Sequence, residues 1–183
     1  MVPDRDQPEL ENVPAAGTSR HRCSPDRLPA LRALLARFGI DVHLYPAGVP
    51  LPGSYWGESE AGIVGLNLHV RPDTPIHSAL HEACHLVCMD PGLRAAVHTD
   101  AGGNDLEESA VCRLQILLAD HLPGVGRGAL MTDMDAWGYS FRLGSTRAWF
   151  LHDSEDADAW LRTQGLVDSR GAVTFRLRGD HGH

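Results

Sequence analysis

The sequence predicts an α+β fold, because three stretches with apolar residues at helical spacing, about 24–38, 76–88 and 105–122, alternate with short strand-like runs near 42–44 and 62–70. A length of 183 residues with 43% hydrophobic content supports one sizeable core, hence a single globular domain. The expected boundaries are a flexible tail over 1–23, the domain over 24–178 and a polar end over 179–183.

Ser24-Pro25 reads as an N-cap followed by proline, and Leu28, Leu31, Leu34, Leu35 and Phe38 repeat at helical period until Gly39 ends the helix. Val42 and Leu44, then Tyr55-Trp56, suggest short strands around the Pro/Gly-rich loop 46–53, and the run 62–70 suggests the next strand. As a sheet edge, that last strand could hold an extended peptide by strand addition, although Gly62 and Gly65 interrupt its alternation. Asp73-Thr74-Pro75 marks a helix start and Met89-Asp90-Pro91-Gly92 its end. A second helix runs from Asp105 to Leu122, after the turn-like 100–104 and before Pro123-Gly124. Further on, the pattern predicts a helix over 130–137, a long helix over about 145–164 carrying Trp149, Phe150 and Trp160, and a final strand over 172–177. The chain has no internal repeat.

The helix over 76–88 contains His81-Glu82-Ala83-Cys84-His85, two imidazoles one turn apart with a carboxylate between them. Residues i and i+4 lie about 5 to 6 Å apart on one helix face, so both rings can reach one metal ion from a rigid backbone. Glu82 lies about 100° round the helix from His81, beside the ion rather than on it, where its carboxylate can take a proton from an activated water. Ile76, Ala79, Leu80, Ala83 and Val87 form one stripe and His77, His81, His85 and Cys88 the opposite one, which places the histidines toward a cleft or solvent.

A catalytic zinc site uses three protein ligands and leaves one position open. Projected at 100° per residue, Glu107 falls within the apolar arc of Leu106, Ala110, Val111, Leu114, Leu117 and Leu118, so its carboxylate needs a buried partner, and Glu107 is the expected third ligand. Glu108, nearer the polar edge, is the alternative, and an acidic first turn favoured by the helix dipole would account for both. His98, Asp100 and Cys88 are weaker competitors, and no second cysteine stands at the spacing of a sulfur-rich zinc centre.

The order of Gly39-Ile40-Asp41-Val42, the strand-like Gly62 to Leu68, the HExxH helix, and a second helix opening Glu107-Glu108-Ser109-Ala110 resembles the ImmA/IrrE-like metallopeptidases over roughly residues 25–125. In that family the second helix carries a Glu-x-Glu-Ala-Asn pattern whose first Glu aligns with Glu107. The resemblance therefore implies a zincin-like fold, a small mixed sheet packed on the HExxH helix and a ligand-bearing second helix, with His81, His85 and Glu107 holding Zn2+ and Glu82 as general base. It also implies a protein or peptide substrate, such as a transcriptional regulator. Two positions depart from the pattern: Ala83-Cys84 replaces a hydrophobic-Gly pair, and Val111 replaces an Asn, so no outer-shell hydrogen bond is available from that position. Residues 124–178 lie outside the resemblance.

Several classes are disfavoured. A net charge of −8 without an Arg cluster argues against a nucleic-acid surface. No stretch approaches the roughly 20 apolar residues that cross a bilayer, and the polar N-terminus does not read as a signal peptide, so the expected location is cytoplasmic. Cys23, Cys84, Cys88 and Cys112 show no secreted disulfide framework and are expected as reduced thiols, with Cys84 and Cys112 as small buried residues. Tyr139, His152 and Arg147 are candidate oxyanion donors, none at a diagnostic spacing; His69, His121, His181 and His183 receive no role. Three functions fit: a zinc peptidase, a non-catalytic zinc-binding interaction domain, and a zinc hydrolase of another amide or ester, with manganese or iron as alternative metals.

Overall fold

The structure is a computed structural model that describes residues 19–54, 60–98 and 104–180. The expected strand at Tyr55-Trp56, the candidate ligand Asp100, the tail over 1–18 and residues 181–183 lie outside the described residues. Seven helices and a three-stranded mixed sheet make up the described fold, in the order α1 (Leu28–Ala36), β1 (Asp41–Leu44), β2 (Gly62–Val64), β3 (Asn67–Val70), α2 (Ile76–Cys88), α3 (Pro91–Arg94), α4 (Asp105–Ala119), α5 (Gly126–Trp137), α6 (Thr146–His152) and α7 (Glu155–Thr163). The α+β class is as the periodicities predict.

The run expected as one strand over 62–70 is a hairpin. Gly65, at φ +56°, opens the two-residue turn, where a left-handed backbone favours glycine. β3 therefore lies in the centre of the sheet, parallel to β1 and antiparallel to β2, and is not a peptide-docking edge. β1 and β2 are the edges; along β2, Val64 pairs with His98 and the turn around Gly53 crosses close over it. A Cβ at Gly53, where φ is +69°, would sit 2.1 Å from the Ile63 carbonyl oxygen. Gly53→Ala is accordingly expected to cost about 2 kcal/mol or more, read as a lower urea midpoint. Gly128→Ala, in α5 with open space around it, should instead stabilise by about 0.5–1 kcal/mol. Equal effects of the two would refute the close-approach explanation.

α2 is buried around almost its whole circumference. The sheet packs on one side and α4 and α5 on the other, so the histidine stripe expected to face a cleft or solvent faces protein: His77 and His85 are buried, and His81 and Glu82 are half-buried. Neither Asp73 nor Thr74 caps this helix. The Thr74 hydroxyl accepts from the Arg71 amide instead, and the Ile76 amide donates to the His21 carbonyl at 2.8 Å. Residues 19–23, expected within the tail, are thus part of the fold. Asp133 of α5, itself buried, holds them by accepting from the Ser19 hydroxyl (3.2 Å), the His21 amide (3.1 Å) and His21 Nδ1 (2.8 Å).

At the other end of α2, the buried Arg94 guanidinium donates to the carbonyls of Leu86 (2.8 Å), Met89 (3.1 Å) and Arg178 (2.9 Å), a cation placed where the helix dipole is negative. The strand expected over 172–177 does not form. Phe175 takes a left-handed φ of +58°, which breaks an extended run, and the segment serves to clamp α2: the Arg178 amide donates to the Val87 carbonyl at 2.9 Å. The long helix expected over 145–164 divides into α6 and α7 at Asp153-Ser154. Asp153 has a non-helical φ of −145° and pairs with Arg142, and the Ser154 hydroxyl turns back to the Phe150 carbonyl. α5 starts at Gly126, earlier than the expected 130. Among the described residues no helix is long and apolar enough to cross a membrane.

Candidate metal centre

α2 and α4 pack directly on each other and carry the candidate site. Asn104 caps α4, its side chain accepting from the Glu107 amide at 2.9 Å, so Glu107 occupies the third helical position and Glu108 the fourth. This start sets the rotation of the whole helix. Glu108, Cys112 and Gln115, spaced by four and then three residues, share one stripe.

Glu108 Oε1 lies 3.0 Å from His81 Nε2, Glu108 Oε2 lies 3.2 Å from His85 Nε2, and the two Nε2 atoms are 3.2 Å apart. Donor atoms this close can close on one ion: nitrogens each about 2.0–2.1 Å from a metal at a near-tetrahedral angle stand a little over 3 Å apart. These three residues are a group that could hold a metal ion, and among the described residues no other such group of His, Cys, Asp and Glu occurs. The nitrogen and oxygen donor set suits a first-row divalent metal.

Glu107, the expected third ligand, points elsewhere. Its carboxylate pairs with Arg178 Nη1 at 3.4 Å, on the flank of α2's C-terminus. Helical position singles out Glu107 only if the apolar arc of α4 faces α2. In the fold α4 packs against α2, α5 and α7 and is buried on nearly all sides beyond its first turn, so its apolar residues do not single out the face that meets the histidines. A signal in the sequence did bear on the choice: Asn104-x-x-Glu107 has the spacing of a capping box, which marks Glu107 as a helix-start residue.

Glu82 lines a cavity of ≈ 240 Å³ together with Glu60, His77, Ser78, His81, Glu108, Trp137 and Tyr139. The expected general base thus shares one space with two of the three clustered residues, His81 and Glu108. Of the suggested oxyanion donors only Tyr139 is among those lining residues; Arg147 and His152 lie on α6. Cys88 and His98 are not in the cluster, His98 being paired with Val64 beside the sheet. All four cysteines are free, as expected, and Cys23 and Cys88 are buried along with Cys84 and Cys112; burial pushes the Cys23 thiol up to about 12.

Electrostatics in the metal-free cluster favour a carboxylate facing cationic imidazole. Burial works against the Glu108 charge, but hydrogen bonds from His81 and His85 hold its carboxyl far below the ordinary value. Burial disfavours a charged His81, yet its hydrogen bond to the Glu108 carboxylate raises it well above the ordinary histidine value. Burial drives His77 down to about 3 and Tyr139 up to about 12, so both are neutral at pH 7. Tyr139 Oη lies 3.3 Å from His77 Nδ1.

Val111 is fully buried and offers no polar contact, in keeping with the departure noted from the sequence. Gln115, which sits inside an apolar run with no motif to mark it, lies 2.7 Å from His81 Nδ1 through Oε1. Among the described residues, His85 Nδ1 is buried with no hydrogen-bond partner. Compared with protein-family profiles, curated proteins and solved structures, the chain matches none.

Proposed function

We propose that the chain is a zinc-dependent metallopeptidase with a zincin-like, ImmA/IrrE-like site, in which His81, His85 and Glu108 hold the metal. The observation that carries this is the convergence of His81 Nε2, His85 Nε2 and the Glu108 carboxylate within 3.0–3.2 Å, beside a cavity that Glu82 lines. Zinc, when bound there, polarises a carbonyl and lowers the pKa of water. Glu82 accepts the proton from the attacking water on its carboxylate and returns it to the departing amine. Tyr139, neutral at pH 7, offers an O–H to the developing oxyanion. The proposed substrate is a protein or peptide partner, a transcriptional regulator by the resemblance, and the proposed setting is the cytoplasm.

A second reading, a non-catalytic metal-binding interaction domain, draws support from His85, whose buried Nδ1 lacks the outer partner that usually fixes a ligand ring. Metal analysis tests what the two readings share. Protein purified without an affinity tag should carry about one zinc per chain. Glu108→Ala should lower zinc affinity by more than about 100-fold, beyond the usual effect of losing an outer-shell partner. Glu107→Ala, which removes only the Arg178 pair, should keep the metal. Retention in Glu108→Ala with loss in Glu107→Ala would reverse the assignment, and no metal after zinc addition would end both readings.

A further inference from the structure

We propose that Gln115 is a positioning residue that fixes the tautomer of His81 and thereby aims its Nε2 lone pair at the metal position. Gln115 is 0% exposed, and an amide so buried is costly unless both of its ends are bonded. Here both ends are used. Nε2 donates to the His77 backbone carbonyl at 3.3 Å, and Oε1 lies 2.7 Å from His81 Nδ1.

The first bond decides the second. A backbone carbonyl only accepts, so the end of the amide that meets His77 O must be the NH2. The end that meets His81 is then the oxygen, which also only accepts, so His81 Nδ1 carries the hydrogen. With the hydrogen held on Nδ1, Nε2 is the nitrogen left to give its lone pair to a metal, and it is the atom 3.0 Å from Glu108 Oε1 and 3.2 Å from His85 Nε2. The carbonyl of one turn of α2 thus sets the metal-binding nitrogen of the next, with Gln115 as the relay. His85 has no counterpart among the described residues, where its Nδ1 finds no partner. Glu108 and Gln115 are seven residues apart on α4, two turns along one face, so one helix supplies a ligand and the lock on another ligand.

The inference concerns the site proposed above, but it has a readout that needs no metal. Imidazole 1H and 15N spectra of the metal-free protein should show a slowly exchanging His81 Nδ1–H, held by Gln115 Oε1. Gln115→Leu should let that hydrogen exchange freely and weaken zinc binding, measured by chelator competition, by about 10–100-fold. Gln115→Glu keeps an acceptor and gives up the donor, so it should retain the protected Nδ1–H and zinc affinity near that of the wild type. It also carries the test should Gln115→Leu not fold. A protected Nδ1–H and wild-type affinity in Gln115→Leu, or a freely exchanging Nδ1–H in Gln115→Glu, would overturn the proposal. A protected Nδ1–H in a protein that binds no zinc would refute the metal reading and leave the role of Gln115 standing.

Discussion

Glu82→Gln is expected to bind zinc as the wild type does and to cleave a fluorescence-quenched peptide library at least about 10²–10⁴-fold more slowly, the usual contribution of a positioned general acid or base. The substitution removes one property only. Glutamine keeps the size and most of the polarity of the side chain but cannot take a proton from water at neutral pH. Glu82 lines the same cavity as His81 and Glu108 and is not one of the converging ligands, so the metal should stay. This separation makes the variant decisive between the two proposed functions: a metal that only cross-links α2 and α4 needs no base. Unchanged cleavage with the metal retained would exclude the peptidase mechanism drawn here. Slower cleavage with loss of metal would instead place Glu82 among the ligands and require the triad to be redrawn.

Arg94→Ala should lower the stability of the metal-free protein by about 3 kcal/mol or more, since each buried acceptor left without a donor costs about 1–3 kcal/mol. Three carbonyls depend on this guanidinium: those of Leu86 and Met89 at the end of α2, and that of Arg178 in the C-terminal segment. In a domain of this size such a loss lowers Tm by roughly 6–12 °C. The urea midpoint should fall with little change in slope, as for a change in stability alone. Arg147→Ala, on the short helix α6, should stay within about 0.5 kcal/mol. A loss below about 1 kcal/mol at Arg94 would mean that water replaces the guanidinium. Because His85 lies one residue before Leu86, weaker zinc binding should accompany the loss of stability.

The two helices of the candidate site were legible in the sequence at nearly their observed bounds. α2 was expected over 76–88 and is Ile76–Cys88; α4 was expected over 105–122 and is Asp105–Ala119. Both have strong punctuation, proline and glycine at their ends and a capping Asn104 before α4. The pairing of His81 with His85 was equally legible, because the i, i+4 relation depends only on helix pitch. Errors elsewhere share a cause: local patterns do not report backbone bends that a few contacts impose. Gly65 turned one expected strand into two, Asp153 and Ser154 divided one expected helix, and Phe175 kept the C-terminal run from forming a strand.

The choice between Glu107 and Glu108 lay beyond what the periodicity of α4 could resolve. Neighbouring residues on a helix differ by about 100° in direction, and such a difference selects a partner only when the position of the facing helix is known. α4 is covered on three sides, so its hydrophobicity carries no direction, and Arg178, 71 residues further along the chain, captures Glu107. Gln115 was hidden for the same reason, as its two partners lie on another helix. The sequence alone therefore established the α+β class, the helix that bears the histidines and the adjacency of their rings, all consequences of interactions within a few residues. The third member of the cluster, the partner of His81 Nδ1 and the docking of residues 19–23 on Asp133 came from packing between distant segments, whose geometry no local pattern encodes.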